Sequence, residues 1–299
     1  MSAAWVETHR GLVFPAQCDH LGHMSARFYS DLFDDAAFQI WPAAGWPHER
    51  NQAHGAGTVS ARYIINYLNE AAPGTMFVVK SGFTHIGNKS VTHSHYMRHS
   101  DTGELIATMD STEVFFDEST RRSMPMPEAV RRYLQSIRVE SEQGEQRVQP
   151  REPSPPGSQA QWYETHRSVV FPWRCDHLGH MNARWYLHHF DDSGFHFFSK
   201  LGYNTVALNR ARAEPVVVQY EVNFIKEMRP GQLILVTSAV SYVGSKSLVI
   251  AHRMYDADSG ELHASCKATC VCFDDVDRKS TLIPQNLRKT LLDRIVELH

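Results

Sequence analysis

The chain repeats itself. Trp5-Val6-Glu7-Thr8-His9-Arg10 returns as Trp162-Tyr163-Glu164-Thr165-His166-Arg167, and the seven residues from Cys18 to Met24 return unchanged from Cys175 to Met181. The offset, 176 − 19 = 157, also relates Pro73-Gly74 to Pro230-Gly231, Gly87-x-Lys89-Ser90 to Gly244-x-Lys246-Ser247, Gly103-Glu104-Leu105 to Gly260-Glu261-Leu262, and Phe116-Asp117 to Phe273-Asp274. From Trp5 to Leu134 about 40% of positions match their counterparts without insertion or deletion, far more than a short solenoid consensus requires. Each copy is therefore a whole domain of roughly 130 residues, within the usual size range. The boundaries predicted are a first domain over 1–135, a flexible polar linker over 136–160 and a second domain over 161–299. The linker is rich in Glu, Gln, Arg, Pro, Ser and Gly and has too little apolar surface to offset its ordering entropy.

Composition narrows the function classes. With 42% hydrophobic and 21% charged residues the chain can bury a core. Its net charge of −3 offers no field for nucleic acid or an anionic membrane, so neither partner is expected. Met1 to Glu7 lacks the basic start and apolar run of a signal peptide, and no apolar stretch reaches the length of a membrane span, which together predict a cytoplasmic protein. Of the five cysteines only Cys18 and Cys175 occupy matching positions. Cys266, Cys270 and Cys272 have same-face strand spacing, but Met109, Glu113 and Phe115 stand in their places in the first copy, so a buried reduced set is expected rather than a metal site.

Within a copy the periodicity changes in a fixed order. Glu164 to Phe171, like Glu7 to Phe14, alternates as a strand and is stopped by a proline. After the Asp-His-Leu-Gly-His turn, Asn182 opens a mostly buried helix carrying Trp185, Tyr186, Phe190, Phe197 and Phe198. Four strand-like runs follow, at 216–224, 232–243, 247–256 and 261–274, separated by Gly-containing turns, and a short amphipathic helix closes the copy at 284–298, as 127–135 does in the first. The order implies an α+β unit in which an antiparallel sheet wraps a central helix.

The string from Cys175 to Tyr186, Cys-Asp-His-Leu-Gly-His-Met-Asn-Ala-Arg-Trp-Tyr, resembles the Asp-x-x-Gly-His-x-Asn-x-x-x-Tyr motif of the 4-hydroxybenzoyl-CoA thioesterase family of hotdog-fold acyl-CoA thioesterases. The Pro230-Gly231 turn and the Gly244-x-Lys246-Ser247 turn are similar to later segments of that family, and the resemblance spans nearly both copies. It implies two tandem hotdog domains paired as an internal pseudo-dimer, able to pair again into a homo-oligomer. It also implies hydrolysis of an acyl-CoA to a free acid and coenzyme A, with no metal or redox cofactor. Two other readings stay open: a non-catalytic hotdog pair that binds acyl-CoA or serves assembly, and a hydratase or dehydratase, whose Asp-x-Asn-Pro-x-His pattern is absent here.

Thioester hydrolysis needs a carboxylate that activates water or attacks the carbonyl, and donors where the oxyanion forms. Asp176 stands just before a helix whose first amides, around Met181 to Ala183, can supply those donors. The resemblance makes Asp19 and Asp176 the catalytic carboxylates, with His23, His180 and Gly179 bordering the substrate. Asn182, replaced by Ser25 in the first copy, then caps the helix or touches the thioester. Lys89, Ser90, Lys246 and Ser247 are candidate contacts for coenzyme A phosphates, with a purely structural turn as the alternative. His20, His23, His177 and His180 can be drawn as metal ligands, but the repeat accounts for them better. Glu70 and Glu227, beside the Pro-Gly turns, read as solvated charges. Asp34-Asp35 and Asp191-Asp192 are odd on a buried helix; they either reach its surface or supply a second acid near the site. Phe28, Phe38, Trp185, Phe195 and Phe197 line an acyl tunnel or pack the core. Because Ser25, Phe28 and the loop after the helix differ between the copies, the second site is expected to be the more competent, or the two to differ in acyl preference.

Overall fold

Alternation of inward and outward side chains commits each copy to one antiparallel sheet. The computed structural model describes residues 5–53, 55–117, 119–142 and 155–298. The chain divides into two units, Met1–Arg147 and Val148–His299.

In the first unit β1 (Val6–Leu12) leads to α1 (Ala26–Ala43) and a short α2 (His48–Ala53). Then come β2 (Ala56–Tyr67), β3 (Met76–Ile86), β4 (Ser90–His99), β5 (Leu105–Asp117), the two-residue β6 (Arg122–Ser123) and α3 (Glu128–Ile137). The second unit repeats this as β7 (Tyr163–Val169), α4 (Ala183–Lys200), α5 (Thr205–Arg210), β8 (Glu214–Phe224), β9 (Leu233–Val243), β10 (Ser247–Asp256), β11 (Leu262–Asp274), β12 (Lys279–Ser280) and α6 (Gln285–Leu292). Strands pair antiparallel in the order β1-β3-β4-β5-β2 in the first unit and β7-β9-β10-β11-β8 in the second. The long helix lies on the sheet: α1 touches β1, β3, β4 and β5, and α4 touches β7, β9 and β10. Each unit is thus the α+β fold expected, one helix held in a curved antiparallel sheet. The short helices α2 and α5, inside what reads in the sequence as a variable loop, and the two-residue strands are additions, too brief to leave a periodic signal.

Two local features position the rest. Residues 72–75 and 229–232 close as turns in which the amides of Thr75 and Gln232 donate to the carbonyls of Ala72 and Arg229, and Gly74 and Gly231 sit at φ 90. That conformation explains Gly after Pro in both copies. A register slip between Glu7 and His9, repeated between Glu164 and His166, turns Thr8 and Thr165 inward. Each threonine hydroxyl meets a buried serine, Thr8 to Ser81 at 2.6 Å and Thr165 to Ser238 at 2.7 Å. Each serine in turn meets a histidine, Ser81 to His95 Nδ1 at 2.5 Å and Ser238 to His252 Nδ1 at 2.7 Å. Burial holds the imidazole of His252 down to about 3. It holds His95 well below the usual range too, with His93 adding to the effect.

Beyond that point the cores diverge. In the first unit the polar line continues from His95 Nε2 to His93 Nδ1 at 2.7 Å, and from His93 Nε2 to Glu113 Oε1 at 3.0 Å. The indole of Trp41, in the last turn of α1, donates to Glu113 Oε2 at 3.4 Å. The second unit has Ile250, Cys270 and Phe198 at these places, buried side chains without the imidazole, carboxylate and indole of this extension.

The expected linker is partly seated. Ile137 and Val139 are buried, the Val139 amide donates to Phe83 and Arg138 donates to Thr84, so the first unit extends past residue 135. On the other side Gly157 donates to Ile295 and Gln159 to Asp293. A side chain at 157 would lie 2.4 Å from the Asp293 backbone, so glycine is needed for this approach. Residues 143–154 of the predicted tether lie outside the described part of the chain.

Candidate active site

The recurring heptapeptide forms a closed loop at the start of each long helix. In the second unit the Asp176 amide donates to the His180 carbonyl at 2.9 Å and the Gly179 amide returns to Asp176 at 3.1 Å, while Cys175 and Met181 form an isolated bridge. Gly179, at φ 80, closes this loop where another residue would be strained. Gly22 does the same at φ 81. The Met181 amide then binds Met228 at 2.7 Å and the Asn182 amide binds Arg174 at 3.0 Å. The Tyr186 hydroxyl accepts from the Met228 amide at 3.1 Å, tying the helix to the segment that carries Glu227.

The loop folds Asp176 back on itself. Its Oδ1 accepts from the Leu178 amide at 2.9 Å, and its Oδ2 lies 3.2 Å from His180 Nδ1. On the other side of the ring, His180 Nε2 lies 3.7 Å from Glu227 Oε1. That nitrogen is buried and makes no hydrogen bond, a costly position for a polar atom unless something else comes to it. The first unit repeats the line more loosely and with the ring turned over. His23 Nε2 is 3.6 Å from Asp19 Oδ2, and His23 Nδ1, also buried and unbonded, is 4.0 Å from Glu70 Oε1. Glu70 is 41% exposed at its side chain against 32% for Glu227. Both glutamates, read in the sequence as solvated charges, face the histidine instead. The signal was their recurrence beside the Pro-Gly turn; 47 residues separate Glu227 from His180 (227 − 180), so no local pattern links them.

The helix start is less open than the sequence suggests. The amides of Met181 and Asn182, expected as oxyanion donors, are used in the backbone bonds above. Asn182 Oδ1 accepts from the Arg184 amide at 3.0 Å, so Asn182 is the N-cap. The amide left over is that of Ala183, the first helical residue, which has no intrahelical acceptor. In the first unit Ser25 occupies the cap but its side chain caps no amide. Asn182→Ala should therefore cost about 1 kcal/mol in urea unfolding. A loss below about 0.3 kcal/mol would contradict the capping role.

The remaining candidates lie elsewhere. Lys89 and Ser90 sit in the β3–β4 turn, where the Lys89 ammonium donates to the Ser123 hydroxyl at 3.4 Å; Lys246, in the turn before Ser247, donates to the Ser280 carbonyl at 3.2 Å. The Lys89 carbonyl binds the Phe115 amide, beside the core of Ile40 and Trp41 at the C-terminal end of α1. Asp19 is at the other end, roughly 27 Å away along an 18-residue helix, so neither unit brings its own lysine to its own aspartate. Asp34 and Asp191 point at strand tyrosines, accepting from Tyr63 at 3.3 Å and Tyr220 at 3.2 Å. Phe38 and Phe195 are 54% and 50% exposed and belong neither to a core nor to an enclosed tunnel, whereas Phe197 is fully buried. Cys18 and Cys175 flank the loop, half-buried; burial, and then the adjacent aspartate, push both thiols up.

Two stretches, 13–134 and 169–291, match the thioesterase-like superfamily. The chain belongs to that superfamily. It is a tandem hotdog member, and solved structures of similar architecture align over nearly its whole length. A Lactobacillus plantarum protein described as an oleoyl thioesterase aligns with TM-score 0.70 at 18% identity, covering 91% of this chain and 97% of its own. The 12:0-ACP thioesterase from Umbellularia californica aligns with TM-score 0.67 at 14% identity, covering 88% and 93%. An acyl-ACP thioesterase from Bacteroides thetaiotaomicron aligns with TM-score 0.65 at 13% identity, covering 88% and 96%. At these identities the likeness is one of fold. No curated protein matches the chain. Among the described residues of this superfamily member no helix is long and apolar enough to cross a membrane.

Proposed function

We propose that the chain hydrolyses the thioester of an acyl-CoA, giving a carboxylic acid and free coenzyme A, with Asp176 and Asp19 as the reacting carboxylates. The observation that carries this reading is the carboxylate–imidazole–carboxylate line of Asp176, His180 and Glu227, set at the mouth of α4 with one ring nitrogen buried and unbonded. A thioester carbonyl oxygen placed at that mouth meets the Ala183 amide and the positive end of the helix dipole. Asp176 then takes a proton from water as the water oxygen attacks, or attacks the carbonyl itself and is released by water. In either route the C–S bond breaks, the acyl carbon gains the water oxygen, and a water proton ends on the coenzyme A sulfur. Imidazole between two carboxylates is a proton carrier suited to that transfer.

The test is thiol release across a panel of short, long and aromatic acyl-CoAs, with acyl carrier protein thioesters alongside. Saturable release of coenzyme A supports the reading. Saturable binding without turnover would reject it in favour of a sensor or assembly role, and turnover of carrier-protein thioesters alone would reject coenzyme A as the carrier.

A further inference from the structure

The two catalytic loops are identical in sequence from Cys18 to Met24 and from Cys175 to Met181, yet the residue just ahead of each differs: Gln17 in one unit and Arg174 in the other. The backbone around them is the same. The Ser25 amide binds the Gln17 carbonyl at 2.9 Å, as the Asn182 amide binds that of Arg174 at 3.0 Å. Only the side chains part company. Gln17 folds back on its own turn, its Oε1 accepting from the Phe14 amide at 2.9 Å. Arg174 reaches across to α4 instead. Its guanidinium lies 5.5 Å from the Phe171 ring and 4.8 Å from the Trp185 ring, within cation–π range of both, and its Nη1 meets His189 Nε2 at 3.3 Å.

The direction of those bonds is fixed. A guanidinium only donates, so His189 accepts at Nε2 and carries its proton on Nδ1, which lies 2.9 Å from His166 Nε2 on β7. His189 is 3% exposed. Arg174, His189 and His166 therefore form one line from the catalytic loop through the buried side of the helix to the first strand. The Arg174 Nε is buried with no hydrogen bond, a position that an arginine serving solubility would leave by turning outward. The first unit carries other residues at these places: Leu32 stands for His189, Phe28 for Trp185, and His9 stacks on Phe77.

We propose that Arg174 is a positioning residue which bolts the Asp176–His180 loop to α4, and that this bolt makes the second unit the faster of the two sites. The catalytic part rests on the hydrolase reading above; the mechanical part does not. Arg174 touches no reacting atom; it acts through Asp176 and His180 by fixing the loop they stand on. Small misplacements of a catalytic group cost up to about 100-fold in rate.

The experiment is a double-mutant cycle in the full chain carrying Asp19→Asn, so that only the second site turns over, with Arg174→Gln and His189→Leu, each introducing the residue of the first unit, plus Arg174→Lys. Arg174→Gln is expected to lower kcat about 10- to 100-fold. KM should move less than about threefold, the pattern of lost transition-state positioning rather than lost binding. His189→Leu should cause a similar loss, and the double variant should be no worse than the poorer single one, because both break one line. Lysine, lacking the flat guanidinium, should not restore kcat. Amide hydrogen exchange across residues 175–182, without substrate, should quicken in Arg174→Gln while the strands of the second unit keep their protection. Additive losses, rescue by lysine, or unchanged exchange in the loop would each overturn the proposal. Absence of turnover in the wild-type chain would instead defeat the hydrolase reading, and the exchange measurement would still decide whether the bolt exists.

Discussion

Asp176→Asn, added to an Asp19→Asn chain so that one site is read alone, is expected to lower kcat for thioester hydrolysis by about 10²- to 10⁴-fold, the range for loss of a general base. Asparagine is the informative replacement because its Oδ1 can still accept from the Leu178 amide, the 2.9 Å bond that shapes the loop, while it can neither take a proton nor attack. Asp19→Asn should have a smaller effect on total turnover. The first unit's line is longer, 3.6 and 4.0 Å against 3.2 and 3.7 Å, its glutamate is more exposed, its N-cap side chain makes no capping bond, and Gln17 stands where Arg174 ties the other loop to its helix. Steady-state rates for the two single variants check this. Equal losses would remove the case for unequal sites, and a doubly substituted enzyme with wild-type kcat would end the carboxylate mechanism.

The second large effect concerns stability. Glu113→Ala should destabilise the first unit by about 3–5 kcal/mol, because it leaves His93 and the Trp41 indole buried beside a missing acceptor. Installing the second unit's residues together, Trp41→Phe, His93→Ile and Glu113→Cys, should recover part of that loss, since it removes the groups that need pairing while leaving a smaller set and His95 Nε2 without His93. Denaturant titration of the three proteins measures it; a triple variant as weak as Glu113→Ala would show that the polar line cannot be exchanged for a packed core. Acidity acts on the same residue. Burial pushes the Glu113 carboxyl up, but His93, with Thr58 and Trp41, outweighs this and holds it below its ordinary value. Tyr63 faces the same carboxyl from β2, with Asp34 of α1 behind it. A folded-state value below the unfolded one gives stability that is present above pH of about 4.3 and is lost as the pH falls through the folded value. The wild-type advantage over Glu113→Ala should therefore shrink below about pH 4. A gap that stays constant down to pH of about 3 would contradict the linkage.

What could be read from the sequence depended on distance along the chain. The repeat, the Asp-His-Leu-Gly-His loop, the helix opened by Asn182 and the four-strand meander are local patterns, and each appears where its spacing put it. The glutamates opposite His23 and His180 escaped because a solvated charge and a histidine partner look alike until folding brings β2 or β8 back to the loop. His93 and His95 share a face of β4 and Glu113 sits on β5, a cross-strand juxtaposition that no single strand's alternation reveals. Phe38 and Phe195 show the reverse: each stands five residues, about 140° of helix turn, from a buried phenylalanine, Phe33 and Phe190, so the spacing already points it outward. The amides of Met181 and Asn182 were taken by partners at 228 and 174, which a helix-start rule does not anticipate.

The sulfur atoms beside the two aspartates set the redox temper of the molecule. Disulfide exchange and peroxide attack proceed through thiolate, and a thiol held above its ordinary value offers little of it near neutrality. Cys18 and Cys175 are so held, and so are Cys266 and Cys272, by burial in the first place. A chromogenic disulfide should thus report liberated coenzyme A against a quiet protein background, and mild oxidants should be slow to reach sulfenic acid at either aspartate-bearing loop.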